Sequence, residues 1–407
     1  MSSSQKSSDG RFIAAGIVIG YFLLLGLTVF IFQASLTNVW KELGVPAMDP
    51  HFGDLRNVVA GIENHDAGRA LGDPNPFDPW NRPYIYPSLW LHVQSLGFNR
   101  DTVIGYGWII ILLFFGSSFA LLGKLTSCEG IFTGLFLISP AIMTGVERCN
   151  LDLVLFPLIL AALALRRWPA ASAALILLTT ALKIHPVGAF LAFAAPPWRK
   201  TFPWLAGVFG LLLLYLLSNW NELAVISAHA QHYPFYTFGS AVCGLWLAQM
   251  NPTNGPPDFA AAFFWGSLFL LAVGVAAVRF SSKMSPEPRW EWETYSFRLG
   301  AGLYLALFAL GANNDYGLVF FLFCLPLLFR LRLSTNPTRW WAISALACSL
   351  IYVNWDLFSE EYLLRHMLIK QTMAWGLTTS LVGLLNAIRS WPVTTGAAIS
   401  PIGAESQ

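Results

Sequence analysis

The sequence predicts an all-α, polytopic membrane protein, one integral domain over 1–407 with about twelve transmembrane helices and a long first extracytoplasmic loop bearing interfacial helices. Three observations carry this reading. The chain is 56% hydrophobic and only 11% charged, more apolar surface than a soluble fold of this length can hide. Apolar runs long enough to approach membrane thickness recur along it. Lys and Arg also gather in alternate short loops, as they do in segments that resist translocation.

The runs fall at about 12–32, 102–122, 130–146, 151–166, 168–182, 186–197, 202–218, 259–279, 297–312, 317–331, 339–357 and 371–389. The first is about twenty residues long, exceeds a signal-peptide core and is followed by no A-x-A-like site, so it is expected to be retained. With the amino terminus cytoplasmic, the inner segments hold fifteen of the 24 Lys and Arg, among them Lys6, Arg11, Arg166, Arg167 and Arg279. Acidic residues gather on the predicted outer side. A net charge of +2 with no basic stripe and no interleaved aromatics gives no nucleic-acid signature. Five cysteines without C-x-x-C spacing read as small buried hydrophobes.

Between the runs lie two long outer loops, 33–101 and 219–258, and a shorter one, 358–370, whose Tyr362, Leu363, Met367 and Leu368 suit a helix on the membrane surface. The segment 86–98 is amphipathic too, and Trp80, Trp90 and Trp108 fit an interfacial aromatic belt, as anchors or as substrate contacts.

Polar groups recur where the runs meet the outer face: Asp54 and Arg56, the Glu147–Asp152 stretch, Lys183 with His185, and Asn313 to Tyr316. The connecting loops are too short to leave the membrane surface, so together these groups could line one outward cavity. Lys183 follows an apolar run directly, where an unpaired ammonium costs about 2 to 3 kcal/mol. Either a lipid phosphate, with Arg148 and His185 as further donors, or an ordinary carboxylate such as Asp152 would offset that. A carboxylate at Asp54 could accept the proton of a sugar hydroxyl attacking an anomeric carbon, the inverting arrangement with an acceptor hydroxyl in place of water. Basic side chains could stabilise a phosphate leaving group. There is no Asp-x-Asp, and the one Glu-x-Glu, Glu291 with Glu293, lies on the predicted inner side, so no metal and no cofactor is expected.

With Asp54, the block DPNPFDPWNRPYIYPSLWL, the run ERCNLDL, then ALKIHPV and NNDYGLVFFLFCLPLL in this order, the chain resembles the polytopic GT-C glycosyltransferases. Within them it resembles glycosyltransferase family 87, the polyprenol-phosphate-mannose-dependent alpha-mannosyltransferases. It departs from that pattern at Ser88, where a second proline is usual, at Cys149, where a glycine precedes Asn, and at Arg56 to Val59, where an aromatic is usual.

The resemblance implies a catalytic base in the first outer loop, interfacial helices that guide lipid, and a polyprenyl-phosphate donor. On this expectation Asp54 is the base, with Asp49 the alternative, and Lys183, Arg148, His185 and Arg56 hold the donor phosphate. Asp78, Arg82 and Tyr86 shape the mouth; Asn150, Asp152, His232, Asn314, Asp315 and Tyr316 contact sugar or acceptor. The partners would be a polyprenyl-phosphate sugar, most plausibly a mannose donor, a lipid-linked glycan acceptor and membrane lipids, at the outer face of the plasma or inner membrane. A twelve-span secondary transporter is the competing expectation, although the run centres offer little for a solute to hold. A lipid-linked glycan ligase or flippase would share the outer cavity.

Overall fold

The computed structural model describes residues 9–193, 198–229, 236–250, 259–281, 290–355 and 363–389. It is helical almost throughout. The chain opens with α1 (Gly10–Phe32), whose first turn is capped by the Asp9 carboxylate accepting from Arg11 N. The first long loop carries α2 (Leu36–Glu42), α3 (Gly53–Asp66) and a 3-10 helix over Ser88–Leu96. Then come α4 (Val103–Leu122), α5 (Ser127–Leu137), α6 (Pro140–Arg148), α7 (Asp152–Ala164) and α8 (Pro169–Leu182). A 3-10 helix, His185–Phe193, leads to α9 (Trp198–Ser218) and α10 (Trp220–His229).

The second long loop also folds: β1 (Thr237–Phe238) and α11 (Val242–Met250) lie within it. Next are α12 (Phe259–Phe280), α13 (Glu291–Ala309), β2 (Asn313–Asn314) and a 3-10 helix over Asp315–Cys324. The described chain ends with α14 (Leu325–Leu331), α15 (Thr338–Val353) and α16 (Leu363–Ala387). β1 and β2 pair antiparallel, Thr237 opposite Asn314 and Phe238 opposite Asn313.

Among the described residues three helices are long and apolar enough to cross a membrane: α1, α4 and Ala261–Phe280 of α12. Counting each of two bent pairs as one span gives five. The α5/α6 pair bends by 51° at Ser139-Pro140, where proline has no N–H for the ladder and starts the next helix instead. Residues Leu205–Ser218 and Trp220–Ile226 bend by 75°. The other apolar runs fold as shorter or more polar helices: α7 and α8 have 13 and 14 residues, about 20 Å at 1.5 Å per residue. Large apolar side chains face outward on the long helices, Phe30 at 81% exposed and Leu112 at 70%. Contiguous faces of this kind suit hydrocarbon rather than water.

A separate surface helix over 358–370 is not what forms. From Leu363 onward this segment is the first part of α16, and Lys370 turns inward to pair with the buried Asp315 carboxylate, which fixes the face that α16 presents to the protein. Residues 358–362 lie outside the described residues.

The centre of the packing is α13, which lies against the 3-10 helices His185–Phe193 and Asp315–Cys324. Gly302 and Gly188 meet backbone to backbone: a Cβ on either would run into the other's carbonyl oxygen. Gly302 and Ala306 are four apart on one face, the small-residue spacing that lets helices approach closely where no hydrophobic force drives them together.

A Gly302→Val variant should therefore lower stability by about 1 to 3 kcal/mol or abolish folding. Gly20→Val, on the exposed face of α1 with no neighbour in reach, should stay within ~0.5 kcal/mol of the parent. Melting temperatures in one detergent, read by size exclusion after heating, separate the two.

Candidate functional site

The polar cavity is built around one turn. At the end of α6, Cys149 adopts a left-handed conformation (φ 48°), which turns the chain back so that Asn150 N bonds the Gly145 carbonyl. This is a position that favours glycine. Asn150, fully buried, then projects its amide between two charged groups. Its Nδ2 donates to Asp54 Oδ2 at 2.5 Å, and its Oδ1 accepts from Lys183 Nζ at 3.3 Å and from Asp152 N at 3.0 Å, opening α7.

Asp54 sits in the first turn of α3, where the helix dipole favours an acid. The start of α3 is pinned to α6 by Glu147: its carboxylate accepts from Met48 N at 3.0 Å and meets His51 Nδ1 at 3.1 Å, while its carbonyl accepts from Phe52 N. The carboxylate of Asp54 is 5% exposed and has one oxygen committed to Asn150; the other faces Arg82 Nη1 at 3.7 Å.

Arg82 is oriented from behind. Its guanidinium donates to Asp78 through Nε (3.1 Å) and Nη2 (2.9 Å), reaches the Gly53 carbonyl at 2.6 Å, and lies over the Trp80 ring. Asp78 also accepts from Asn57 Nδ2 and from Trp80 N and Arg82 N. Burial pushes the Asp78 carboxyl up, but the Arg82 hydrogen bonds and charge, helped by Asn57 and Trp80, outweigh this and hold it below its ordinary 3.8. Tyr86 is buried nearby, and burial, reinforced by Asp54, keeps its phenol protonated as a donor.

Opposite, Lys183 leaves the end of α8 in extended conformation and pairs with Asp152 Oδ1 at 2.7 Å. The Asp152 carboxylate thus offsets the charge of this ammonium. Trp90 Nε1 donates to the Leu182 carbonyl, tying the Ser88–Leu96 helix to the end of α8. Ser88 supplies a backbone N–H and a hydroxyl to Glu222, at 2.5 and 2.8 Å; a proline here could give neither.

The resulting cavity holds about 170 Å³. Asp54, Arg82, Tyr86, Arg148, Asp152, Lys183, Asn314 and Tyr316 line it, so eight of the expected residues converge. Of its charged lining, three groups are cationic (Arg82, Arg148, Lys183) and two anionic (Asp54, Asp152). Arg148 differs from the other two. Among the described residues no carboxylate lies within ion-pair reach of it; Nη2 touches the Pro46 carbonyl at 3.4 Å and Nε is buried without a partner.

Other expected residues lie elsewhere. Asp78 does not line the cavity, because Arg82 covers it. Asn150 lies behind the wall as the bridge described above. His185 is buried behind Asp152, its Nε2 3.5 Å from Oδ1. Arg56 points to the His51 carbonyl (2.7 Å), and neither Arg56 nor Asp49 lines the cavity. Asp315 is buried in a separate cluster with Lys370 and Tyr352, whose hydroxyl is 2.7 Å away. His232 lies outside the described residues.

Residues the sequence reading did not single out complete the wall, notably Thr237, His229 and Leu307. Thr237 is 1% exposed, and its hydroxyl has no partner among the described residues. No group of three or more His, Cys, Asp or Glu among the described residues is arranged to hold a metal ion. No family model, curated protein or solved structure matches the chain.

Because the Asp78 carboxyl is held below its ordinary 3.8, the pair contributes stability that is present above that pH and lost as pH falls through the lower folded-state value. Asp78→Asn should leave Arg82 short of a charge partner, cost about 3 kcal/mol at neutral pH, and flatten the acid limb of the stability profile. Melting temperatures from pH 3 to pH 7 check both.

Proposed function

We propose that this protein is an integral-membrane glycosyltransferase that moves a hexose, in the first instance mannose, from a polyprenyl-phosphate donor to a hydroxyl of a lipid-linked glycan or similar acceptor. The observation that carries the reading is Arg148. It is a cation in a small cavity without a carboxylate of its own, placed with Lys183 around the same space as the Asp54 carboxylate. An anionic group is the natural complement of such a site, and a phosphate accepts from a guanidinium and an ammonium together.

In the proposed step the acceptor oxygen attacks the anomeric carbon as the bond from that carbon to the phosphate oxygen breaks. The acceptor proton passes to Asp54 Oδ1, the oxygen not committed to Asn150. The bond electrons leave with the phosphate, whose added charge Arg148 and Lys183 stabilise. Asn150 holds base and ammonium in fixed relation, and Arg82 faces the Asp54 oxygen that takes the proton. Tyr86, Asn314 and Tyr316 supply hydrogen-bonding groups for sugar hydroxyls.

The reading places the cavity on the extracytoplasmic face of the plasma or inner membrane, with the amino terminus cytoplasmic and about twelve crossings once the short and bent helices are counted. The long exposed apolar faces of α1, α4 and α12 support the membrane setting.

Transfer of labelled mannose from polyprenyl phosphate into extracted membrane lipid, by protein in nanodiscs, tests it. Asp54→Asn should lower kcat by about 10² or more while the melting temperature holds. Arg148→Ala should instead raise the donor KM by about tenfold, the loss of one charged hydrogen bond. Solute uptake by proteoliposomes without a covalent product would favour a transporter.

A further inference from the structure

A second hollow, about 930 Å³, opens between α11, α12 and α16. Its walls are apolar: Trp265, Phe269 and Val273 step along α12 every four residues, facing Trp375 and Thr379 of α16. Residues 265 to 273 span about 12 Å of helix axis, so the hollow is a groove running along the helices. Trp265 is 67% and Phe269 55% exposed, which leaves the groove open along its side. Taken alone, these walls would fit any hydrocarbon chain.

Two polar side chains narrow the choice. Gln371 is 95% buried and lines the groove, yet among the described residues neither its Nε2 nor its Oε1 has a hydrogen-bond partner. Ser240, on the same lining and 3% exposed, has an equally unpartnered hydroxyl. A purely hydrocarbon occupant would leave these already buried atoms unsatisfied, the costly state for buried polar groups. An amide needs an acceptor for its N–H and a donor for its carbonyl.

The position of Gln371 along α16 fits a lipid's polar end. Gln371 follows Lys370, whose ammonium meets Asp315 directly after the Asn313–Asn314 strand of the polar cavity wall. Thr379 lies eight residues, about 12 Å, further along the same helix.

We infer that the groove binds an acyl-glycerol lipid, with the chain along Phe269 and Val273 and the glycerol ester at Gln371. The ester carbonyl accepts from Gln371 Nε2, a glycerol hydroxyl donates to Oε1, and Ser240 bonds the remaining oxygen. This site does not depend on sugar transfer at the cavity, and a polyprenyl phosphate, which has no carboxylic ester carbonyl, is a different occupant.

The test uses the delipidated full chain in detergent, with 1-monooleoylglycerol, 1-octadecene and a polyprenyl phosphate as probes, and native mass spectrometry as the readout. Monooleoylglycerol should bind best, Gln371→Leu should weaken it about tenfold, as expected for two lost hydrogen bonds, and Thr372→Trp should block the groove. Thr372 is exposed and bonds only within its own helix, so this variant keeps the fold.

Without lipid, Gln371→Leu should melt at a higher temperature than the parent, because it removes two unsatisfied atoms; a packing role for the amide would lower it. Binding unchanged by Gln371→Leu, preference for octadecene or polyprenyl phosphate, no binding at all, or a lowered melting temperature for the lipid-free variant would each overturn the inference.

Discussion

The Asn150 amide is the constraint on which the polar cavity depends. One side chain, fully buried, donates to the Asp54 carboxylate and accepts from the Lys183 ammonium, residues that arrive from α3 and from the end of α8. Among the described residues no other side chain hydrogen-bonds both Asp54 and Lys183. The amide is itself set by the backbone: Cys149 takes a left-handed turn, Asn150 N closes onto Gly145, and Asn150 Oδ1 opens α7. Helix termination, helix initiation and the placement of charge are thus one local event.

Three buried carboxylates, two of them beside this bridge, each meet a Lys or Arg cation. Asp78 has Arg82, Asp152 has Lys183, and Asp315 has Lys370. Burying charge is expensive unless it is paired and hydrogen-bonded, and these pairs meet that condition. Asp54 is held more loosely by charge, 3.7 Å from Arg82, and Arg148 has no acid in reach among the described residues. A carboxylate loosely held by charge and a guanidinium with no acid in reach among the described residues therefore line the same cavity.

Much of this placement was legible in the sequence because of where polar residues interrupt apolar runs. Lys183 directly after AALILLTTAL, and the Glu147–Asp152 stretch between two runs, mark places where charge must meet an interface or a partner. Asp54, Arg148, Lys183 and Tyr316 do come together. The role of Asn150 as a bridge was not legible, since it depends on a left-handed residue at a position occupied by cysteine rather than glycine. Thr237 reaches the cavity only through a two-residue strand pairing with Asn314, a contact too short and too distant in sequence to leave a pattern. Lys370 read as part of a surface helix because Tyr362 to Leu368 has amphipathic spacing; its ion pair with Asp315 crosses 55 residues and turns it inward. Run length likewise overstated helix length where proline falls within a run, as at Pro140, or where a run winds as 3-10 helix, as at Pro186.

On the proposed function, a phosphate-linked sugar occupies the space between Asp54 and Arg148. A structure determined with a non-transferable polyprenyl-phosphate hexose analogue tests it most directly. The expected result is density for the phosphate within hydrogen-bond distance of Arg148 and Lys183, with the anomeric carbon on the side of Asp54 Oδ1. A phosphate bound away from both cations, with the cavity unchanged, would contradict the account.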